Sequence, residues 1–374
     1  MSISSSIKSI YINLAQDKKY PISFGKTPFQ SLTRNDIGDA TKILVITNQT
    51  VLNVCKNYLK DVSESLPCDV FFHVMVDGEN FKTLDSFSSI IDDCVNYRLG
   101  RKDLIIAFGG GVVGDIAGFA AAAYLRGIRF IQYPTSLLAQ VDAAIGGKTG
   151  VNHSRGKNLI GAFHQPIKTL VDPSLLSTLP PKEMKEGLAE IIKYGIIQDK
   201  PLFWYLEQHA DALVSFDYDD CPDIWNHVIQ KSIENKAQVV SQDEKESELR
   251  EILNFGHTIA HAIELTHGYG CVSHGNAVAI GMIIESLMAK KLDMLSVPVY
   301  QRMIELIQSF KFPLTVNSMD RDNFFNALKL DKKVRKNQLR FVLPVDIGQT
   351  KTISNIDEDV IIDSMNEWFG GNVL

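Results

Sequence analysis

Glu190, His257 and His274 are residues whose types suit a metal ion. Two imidazoles and one carboxylate form a common set for a catalytic divalent metal, with a position left open for substrate. His257-Thr-Ile-Ala-His261 places two imidazoles at i and i+4 on one helix face. Thr258 stands where a zinc protease carries the glutamate of HExxH, so that chemistry is excluded. Ser273-His274-Gly275 opens a further helix, and Glu190 lies within the otherwise apolar GLAEIIK. Spacing alone leaves these histidines an alternative role as ordinary helix residues. Lys193, three residues from Glu190, reads as its salt-bridge partner.

Gly109-Gly110-Gly111-Val112-Val113-Gly114 matches GxGxxG between a strand and a helix. Glycines there let backbone N–H groups approach a pyrophosphate at the helix start. The dinucleotide fingerprint also carries an acidic residue about 20 positions on; here that region reads IRFIQYPT, without one. The loop reads as a phosphate cradle outside the usual plan, or as a tight turn under a packed helix. Asp77-Gly-Glu-Asn-Phe-Lys82 follows another strand, where Glu79 suits ribose hydroxyls and Lys82 a phosphate. The glycine-rich stretch Val141–Phe163 carries Asp142, Lys148, Asn152, Lys157 and Asn158, types suited to phosphate and carboxylate recognition. It reads as a loop. Arg126, Lys236, Arg250 and the Lys332-Lys333 pair carry no reading by themselves.

These residues need elements to position them. KILVIT, DVFFHVMV and DLIIAF are short apolar strands separated by helical stretches, the signature of a parallel α/β sheet. An N-terminal strand pair precedes them. Beyond about residue 175 helical patterns dominate: LPPKEMKEGLAEIIKYGII continues helically after its Pro-Pro stop, and further patterns run over roughly 200–213, 222–242, 248–267, 274–292 and 296–310. LRFVLP and KTISNI read as strands before a final helix. The expected division is therefore an α/β domain over 1–175 and a mainly α-helical domain over 176–374. A chain of 374 residues allows two or three domains at about 150 residues each. A net charge of −6 argues against a nucleic-acid binder, since such domains are usually basic. The most apolar stretch, Leu104–Leu125, is interrupted by glycines and Asp115, which argues against a membrane span. Five scattered cysteines without a CxxC pair and a start without a signal sequence lead to the expectation of a cytoplasmic protein.

Taken together, the stretches DGENFKTL, GGGVVGDIAGFAAAAYLRGIRFIQYPTSLLAQVDAAIGGKTGVNHSRGKNLIGAFHQP, LPPKEMKEGLAEIIKYGII, ENKAQVVSQDEKESELREILNFGHTIAHAIE, HGNAVAIGM and LDKKV resemble the 3-dehydroquinate synthase family. They span roughly Asp77 to Val334. The resemblance implies an α/β nucleotide domain with a parallel sheet and a helical metal domain. It implies tightly held NAD, a divalent metal (zinc or cobalt) and a homodimer. It implies conversion of a phosphorylated seven-carbon keto acid, 3-deoxy-D-arabino-heptulosonate 7-phosphate (DAHP), to 3-dehydroquinate and phosphate. The steps would be transient oxidation by NAD, β-elimination of phosphate, re-reduction and aldol closure, in the shikimate route to aromatic compounds. By the same resemblance Glu190, His257 and His274 are metal ligands. NAD contacts fall on Asn48, Glu79, Lys82, Gly110, Gly111, Val112, Asp115, Thr135, Ser136 and Leu138. Substrate contacts fall on Lys148, Lys157, Asn158, Lys193, Lys236, Arg250, Asn254, His261 and the Lys332-Lys333 pair, with Lys148 and Lys157 beside the cofactor. Asp142 would lie near the reacting carbons, and Arg126 would reach the substrate phosphate from a partner subunit.

One departure accompanies the resemblance. The family usually reads HGE at the third ligand, whereas this chain reads His274-Gly275-Asn276. Loss of a supporting carboxylate of this kind costs about 10–100-fold in metal affinity or activity. Two rival activities share much of the pattern: sister cyclases acting on other sugar phosphates, and metal-dependent alcohol dehydrogenases. Lys236, Arg250, Asn254 and His261 match the dehydroquinate set, and the dehydrogenases lack the Lys148/Lys157 cluster.

Overall fold

The computed structural model describes residues 7–15, 18–246, 248–267, 271–315, 321–334 and 339–370, with the side chains of 321 and 329–334 outside the description. The strands are β1 (Lys8–Asn13), β2 (Lys19–Phe24), β3 (Lys42–Asn48), β4 (Asp69–Met75), β5 (Leu104–Gly109), β6 (Arg129–Pro134), β7 (Lys148–His153), β8 (Gly156–Phe163), β9 (Lys168–Val171), β10 (Arg340–Asp346) and β11 (Gln349–Ser354). The first helices are α1 (Arg34–Ile37), α2 (Gln49–Val54), α3 (Lys56–Ser65), α4 (Leu84–Asn96) and α5 (Gly111–Ala123). They are followed by α6 (Pro181–Ile197), α7 (Lys200–Leu213), α8 (Pro222–Gln242), α9 (His257–His267), α10 (His274–Lys291), α11 (Val297–Ser309), α12 (Arg321–Val334) and α13 (Glu358–Phe369). The chain forms two compact units, one of residues 1–180 with 236–245 and one of 181–235 with 246–374.

In the first unit seven strands take the order β1-β2-β9-β6-β5-β3-β4, all parallel except the β1–β2 pair. β5 is buried at every position, as a strand covered on both faces must be. Alternation along β3 sends Leu44 and Ile46 to a core with α4 and α5, and Ile43 and Val45 to a core with α3. Full burial of each such side chain stabilises the fold by about 1.5–3 kcal/mol. β3 leads to β4 on one side, and β5 then pairs with β3 on the other. The carboxyl ends of β3 and β5 therefore flank a topological switch point, where open α/β sheets bind ligands.

The stretch 141–163, expected as a loop, is instead a π-helical turn (Ala139–Ala143) leading into the antiparallel hairpin β7–β8. Its glycines serve close strand pairing. Gly150 faces Gly161, and a Cβ on Gly161 would lie 2.1 Å from the Thr149 carbonyl oxygen.

The second unit comprises helices and the β10–β11 hairpin. Its central helix, α10, is buried along nearly its whole length and packs on α6, α9, α11, α13 and β10. The single helix expected over 248–267 is divided into a 3-10 turn (Leu249–Asn254) and α9. The break falls at Gly256, whose φ of +78° is a left-handed value that other residues rarely adopt. No helix among the described residues is long and apolar enough to cross a membrane. All five cysteines are free.

Candidate active site

The second unit brings Glu190, His257 and His274 together, one ligand atom of each lying within 4.8 Å of the others. Glu190 lies on the buried helix α6 and is 1% exposed. His257 opens α9 immediately after the Gly256 turn. His274 opens α10 behind Ser273, whose side chain caps that helix. Both His Nε2 atoms face Glu190 Oε1, at 3.5 Å from His257 and 3.6 Å from His274. Their Nδ1 atoms are occupied elsewhere. His257 Nδ1 meets the Phe255 carbonyl at 3.1 Å, and His274 Nδ1 meets Glu264 Oε1 at 3.4 Å. A carbonyl only accepts, so His257 carries its proton on Nδ1, and its Nε2 lone pair is aimed at a carboxylate. Two acceptors face to face call for a cation between them. Histidine ligands to metals characteristically use the other ring nitrogen in this way. The donor set therefore fits a divalent metal.

The electrostatics follow. Burial, reinforced by Lys193, pulls the His257 pKa down to about 3, so its imidazole is neutral as a ligand must be. Burial also opposes charge on His274, but its bonds to Glu190 and Glu264 outweigh that and hold its pKa up at about 10, so a metal bound there would displace that proton. Lys193, 2% exposed, pairs with Glu190 Oε2 and leans over the Tyr194 ring. Arg250 is 1% exposed in the 3-10 turn, and Asn254 donates to Glu246 Oε1 at 3.2 Å. His261, one turn after His257, is exposed, with ring centroids 5.7 Å apart. Lys332 and Lys333 fall on α12, but their side chains lie outside the described residues.

In the first unit the candidate residues gather at the carboxyl end of the sheet. Asn48 ends β3 and caps α2, accepting the Val51 N–H at 2.9 Å. Gly110 is the N-cap of α5, and no side chain caps that helix. Its first-turn N–H groups, beside the switch point, fit a pyrophosphate. Gly111 and Val112 form that first turn. Ser136 Oγ would lie 3.3 Å from a Cβ on Gly110, and Gly114 is enforced by Gln132, 2.8 Å from where a Cβ would stand. Thr135 donates its N–H to Gly109 at 3.0 Å, and Leu138 leads into the π-helical turn. Lys82, 4% exposed, donates to Asp115 Oδ2 at 2.5 Å and to Asn158 Oδ1 at 2.6 Å. Glu79 accepts from Asn152 Nδ2 at 2.7 Å, and Asn152 Oδ1 accepts the Asn158 N–H at 2.8 Å. Glu79, Lys82, Asp115 and Asn158 are thus one connected group, and the acceptor at Glu79 suits ribose hydroxyls. Burial raises the Asp115 pKa, with Lys82 opposing.

Lys236 Nζ donates to Asp142 Oδ1, a pair 94 residues apart in sequence. Lys148 begins β7 and is exposed; Lys157 lies on β8, half-buried. Arg126 stands apart from these groups, in a turn where Leu125, Arg126 and Gly127 all have positive φ. Three carboxylates of the second unit carry no signal in local spacing: Glu186, Glu264 and Glu285. What marks them is a charge at a position buried by its helix.

A family model described as 3-dehydroquinate synthase N-terminal matches residues 72–186, and one described as 3-dehydroquinate synthase C-terminal matches 187–334. A 3-dehydroquinate synthase of Microcystis aeruginosa is 45% identical over 348 residues, 92% of this chain and 94% of its own length. Among solved structures, the 2-epi-5-epi-valiolone synthase of Streptomyces hygroscopicus with NAD+ and Zn2+ bound aligns at a TM-score of 0.85 and 26% identity, covering 95% of this chain and 98% of that one. A 2-deoxy-scyllo-inosose synthase complexed with carbaglucose-6-phosphate, NAD+ and Co2+ aligns at 0.86 and 26%, covering 96% and 99%.

Proposed function

The chain belongs to the 3-dehydroquinate synthase family, and from that premise we propose that it converts DAHP to 3-dehydroquinate and phosphate, a carbon–oxygen lyase reaction of the shikimate route. The observation that carries the reading is the convergence of the half-buried His257 and His274 on the buried Glu190. These three would hold zinc or cobalt, which when bound supplies a Lewis acid that eases loss of a hydroxyl proton. The start of α5 and Glu79 would hold NAD, which when bound supplies a reversible store for two electrons, so that the reaction would close without net oxidation.

The chain's own residues bind and orient. Lys148 and Lys157 offer point charges to a phosphate, and Arg250 offers a planar fork to a carboxylate. Burial of Arg250 and of Lys193 fixes their directions before substrate arrives. The Asp142 carboxylate holds Lys236, and Glu246 holds the Asn254 amide. His261, exposed one turn after His257 on α9, would carry a proton to or from the substrate. Arg126 is contributed from a second copy, so the working form is a homodimer. Orientation of this kind lowers a barrier by several kcal/mol, up to about 7–11.

The test is phosphate release and product identity with purified protein, NAD, metal and DAHP, repeated with sedoheptulose 7-phosphate, glucose 6-phosphate and a chelator. Chelator-sensitive release from DAHP with dehydroquinate formed supports the reading. Turnover of another sugar phosphate alone moves the chain to the sister cyclases that its solved neighbours represent. Net NADH accumulation without phosphate release would indicate a dehydrogenase.

A further inference from the structure

The carboxylates behind the histidines support a further step, which rests on the reading of Glu190, His257 and His274 as a metal site. Glu186 stands one turn before Glu190 on α6 and is 8% exposed. Its Oε2 accepts the N–H of Gly275 at 2.5 Å. Gly275 follows His274 directly, so this bond fixes the first turn of α10 and with it the third ligand. The approach is close: a Cβ on Gly275 would lie 2.7 Å from Glu186 Cα. A second carboxylate, Glu264 of α9, meets the His274 ring itself at Nδ1.

Asn276 occupies the position where the family pattern is acidic. Its backbone N–H is taken by Ser273 Oγ at 3.4 Å, and its side-chain Oδ1 is buried without a hydrogen bond. The anion at the start of α10 therefore comes from α6 and not from α10. A negative group is favoured at that end of a helix, where N–H groups lack partners within the helix.

We propose that Glu186 is the positioning residue for His274, carrying in this chain the charge that the family pattern places at 276. A glutamate at 276 would then be redundant and repulsive, since it would join Glu186, Glu190 and Glu264 around one histidine. The sign of Asn276→Glu thus depends on Glu186.

Zinc affinity, measured on the full chain by competition with a chromophoric chelator, tests this, with the absorption bands of the cobalt-loaded protein reporting ligand geometry. Tight one-to-one zinc binding that His274→Ala abolishes establishes the site; its absence would overturn the metal reading as well. Glu186→Ala is expected to weaken zinc about 10–100-fold and to shift the cobalt bands. Glu186→Gln, which still accepts the Gly275 N–H, should lose less. Asn276→Glu is expected to weaken zinc in the native background and to strengthen it in Glu186→Ala. Unchanged zinc affinity and cobalt bands in folded Glu186→Ala, with only a lower melting temperature, would show a merely structural role and overturn the proposal. Should Glu186→Ala not fold, Asn276→Glu in the native background decides alone, and tighter zinc there overturns it.

Discussion

Replacing Lys82 by methionine is expected to cost about 3 kcal/mol of stability at neutral pH and much less in acid. Lys82 is 4% exposed, and its ammonium lies 2.5 Å from Asp115 Oδ2 and 2.6 Å from Asn158 Oδ1. Methionine keeps most of the aliphatic stem, so packing changes little and the loss is that of the charge. Removing one partner of a buried ion pair costs about 3–5 kcal/mol, because the other charge stays behind. Asp115 keeps 20% of its side chain exposed, which places this case at the lower end. Burial already raises the Asp115 pKa, while Glu79 and Asp142 push it further and Lys82 opposes. Without Lys82 it rises again. A carboxyl whose folded pKa is raised binds its proton more tightly in the folded state. Its destabilising effect is absent below the unfolded pKa of about 3.9 and grows as pH climbs to the folded value, by about 1.4 kcal/mol per unit. Urea unfolding of both proteins between about pH 4 and pH 8 should therefore show a difference that widens with pH and then levels. Lys82→Met with Asp115→Asn should recover part of the loss, since a neutral amide needs no counter-ion. A difference constant across that range, or a double variant no more stable than the single one, would refute the reasoning.

Gly281→Ala places a Cβ 1.9 Å from the Gly256 carbonyl oxygen, so it should cost at least the roughly 1–3 kcal/mol of an overpacked core and also weaken zinc, because Gly256 precedes His257; thermal melting and zinc titration check the two effects. Arg126→Gly tolerates the backbone φ of 66° while removing the guanidinium, so melting should hold and turnover should fall. Mixing it with His257→Ala subunits should restore turnover if the arginine serves a partner's site, and no recovery would refute that. Burial works against ionisation of Asp103, but N–H groups of Gly100, Thr41 and Lys42 at 2.7–2.9 Å outweigh it and hold its pKa below the usual value. Its stabilisation is therefore present above the unfolded pKa and lost as pH falls through the folded one. Asp103→Asn should cost about 1–3 kcal/mol at neutral pH and little in strong acid, as read by urea unfolding.

What was legible in the chain depended on the range of the interaction. The strand ending in Gly109-Gly110-Gly111 and the helix after it follow from composition and period within one segment, and the structure places them so. β9 is only four residues long, Lys168–Val171, too short for a periodic signal, yet it joins β6 to β2 in the sheet. The β7–β8 hairpin escaped because its glycines, needed where Thr149 and Gly161 nearly touch, have the composition of a loop. Lys236 and Asp142 are 94 residues apart, and no local period announces such a pair. Glu190 and Lys193, by contrast, are neighbours on one helix face and were visible as a pair.

The proposed metal site accounts for the acidic residues that support its three ligands. Both histidines open helices, and helix starts carry partial positive charge that opposes a cation nearby. Each start is met by a carboxylate from another helix. Glu285 of α10 accepts the Gly256 N–H at 2.7 Å before α9, and Glu186 of α6 accepts the Gly275 N–H within α10. Glu285 is fully buried, and burial lifts its pKa well above the usual carboxylate range against the pull of the Gly256 and Ile259 N–H groups, so it answers that helix start as a hydrogen-bond acceptor rather than as a fixed charge. A buried carboxyl costs stability unless it is bonded, so its presence in an otherwise apolar helix is accounted for by the N–H groups it satisfies. With those two backbone ends answered, and Glu264 on the His274 ring, Glu190 alone faces both imidazole Nε2 atoms. The division of labour is physical: carboxyl groups on backbone N–H groups fix where the imidazoles stand, and one carboxylate remains that would share the proposed cation with them.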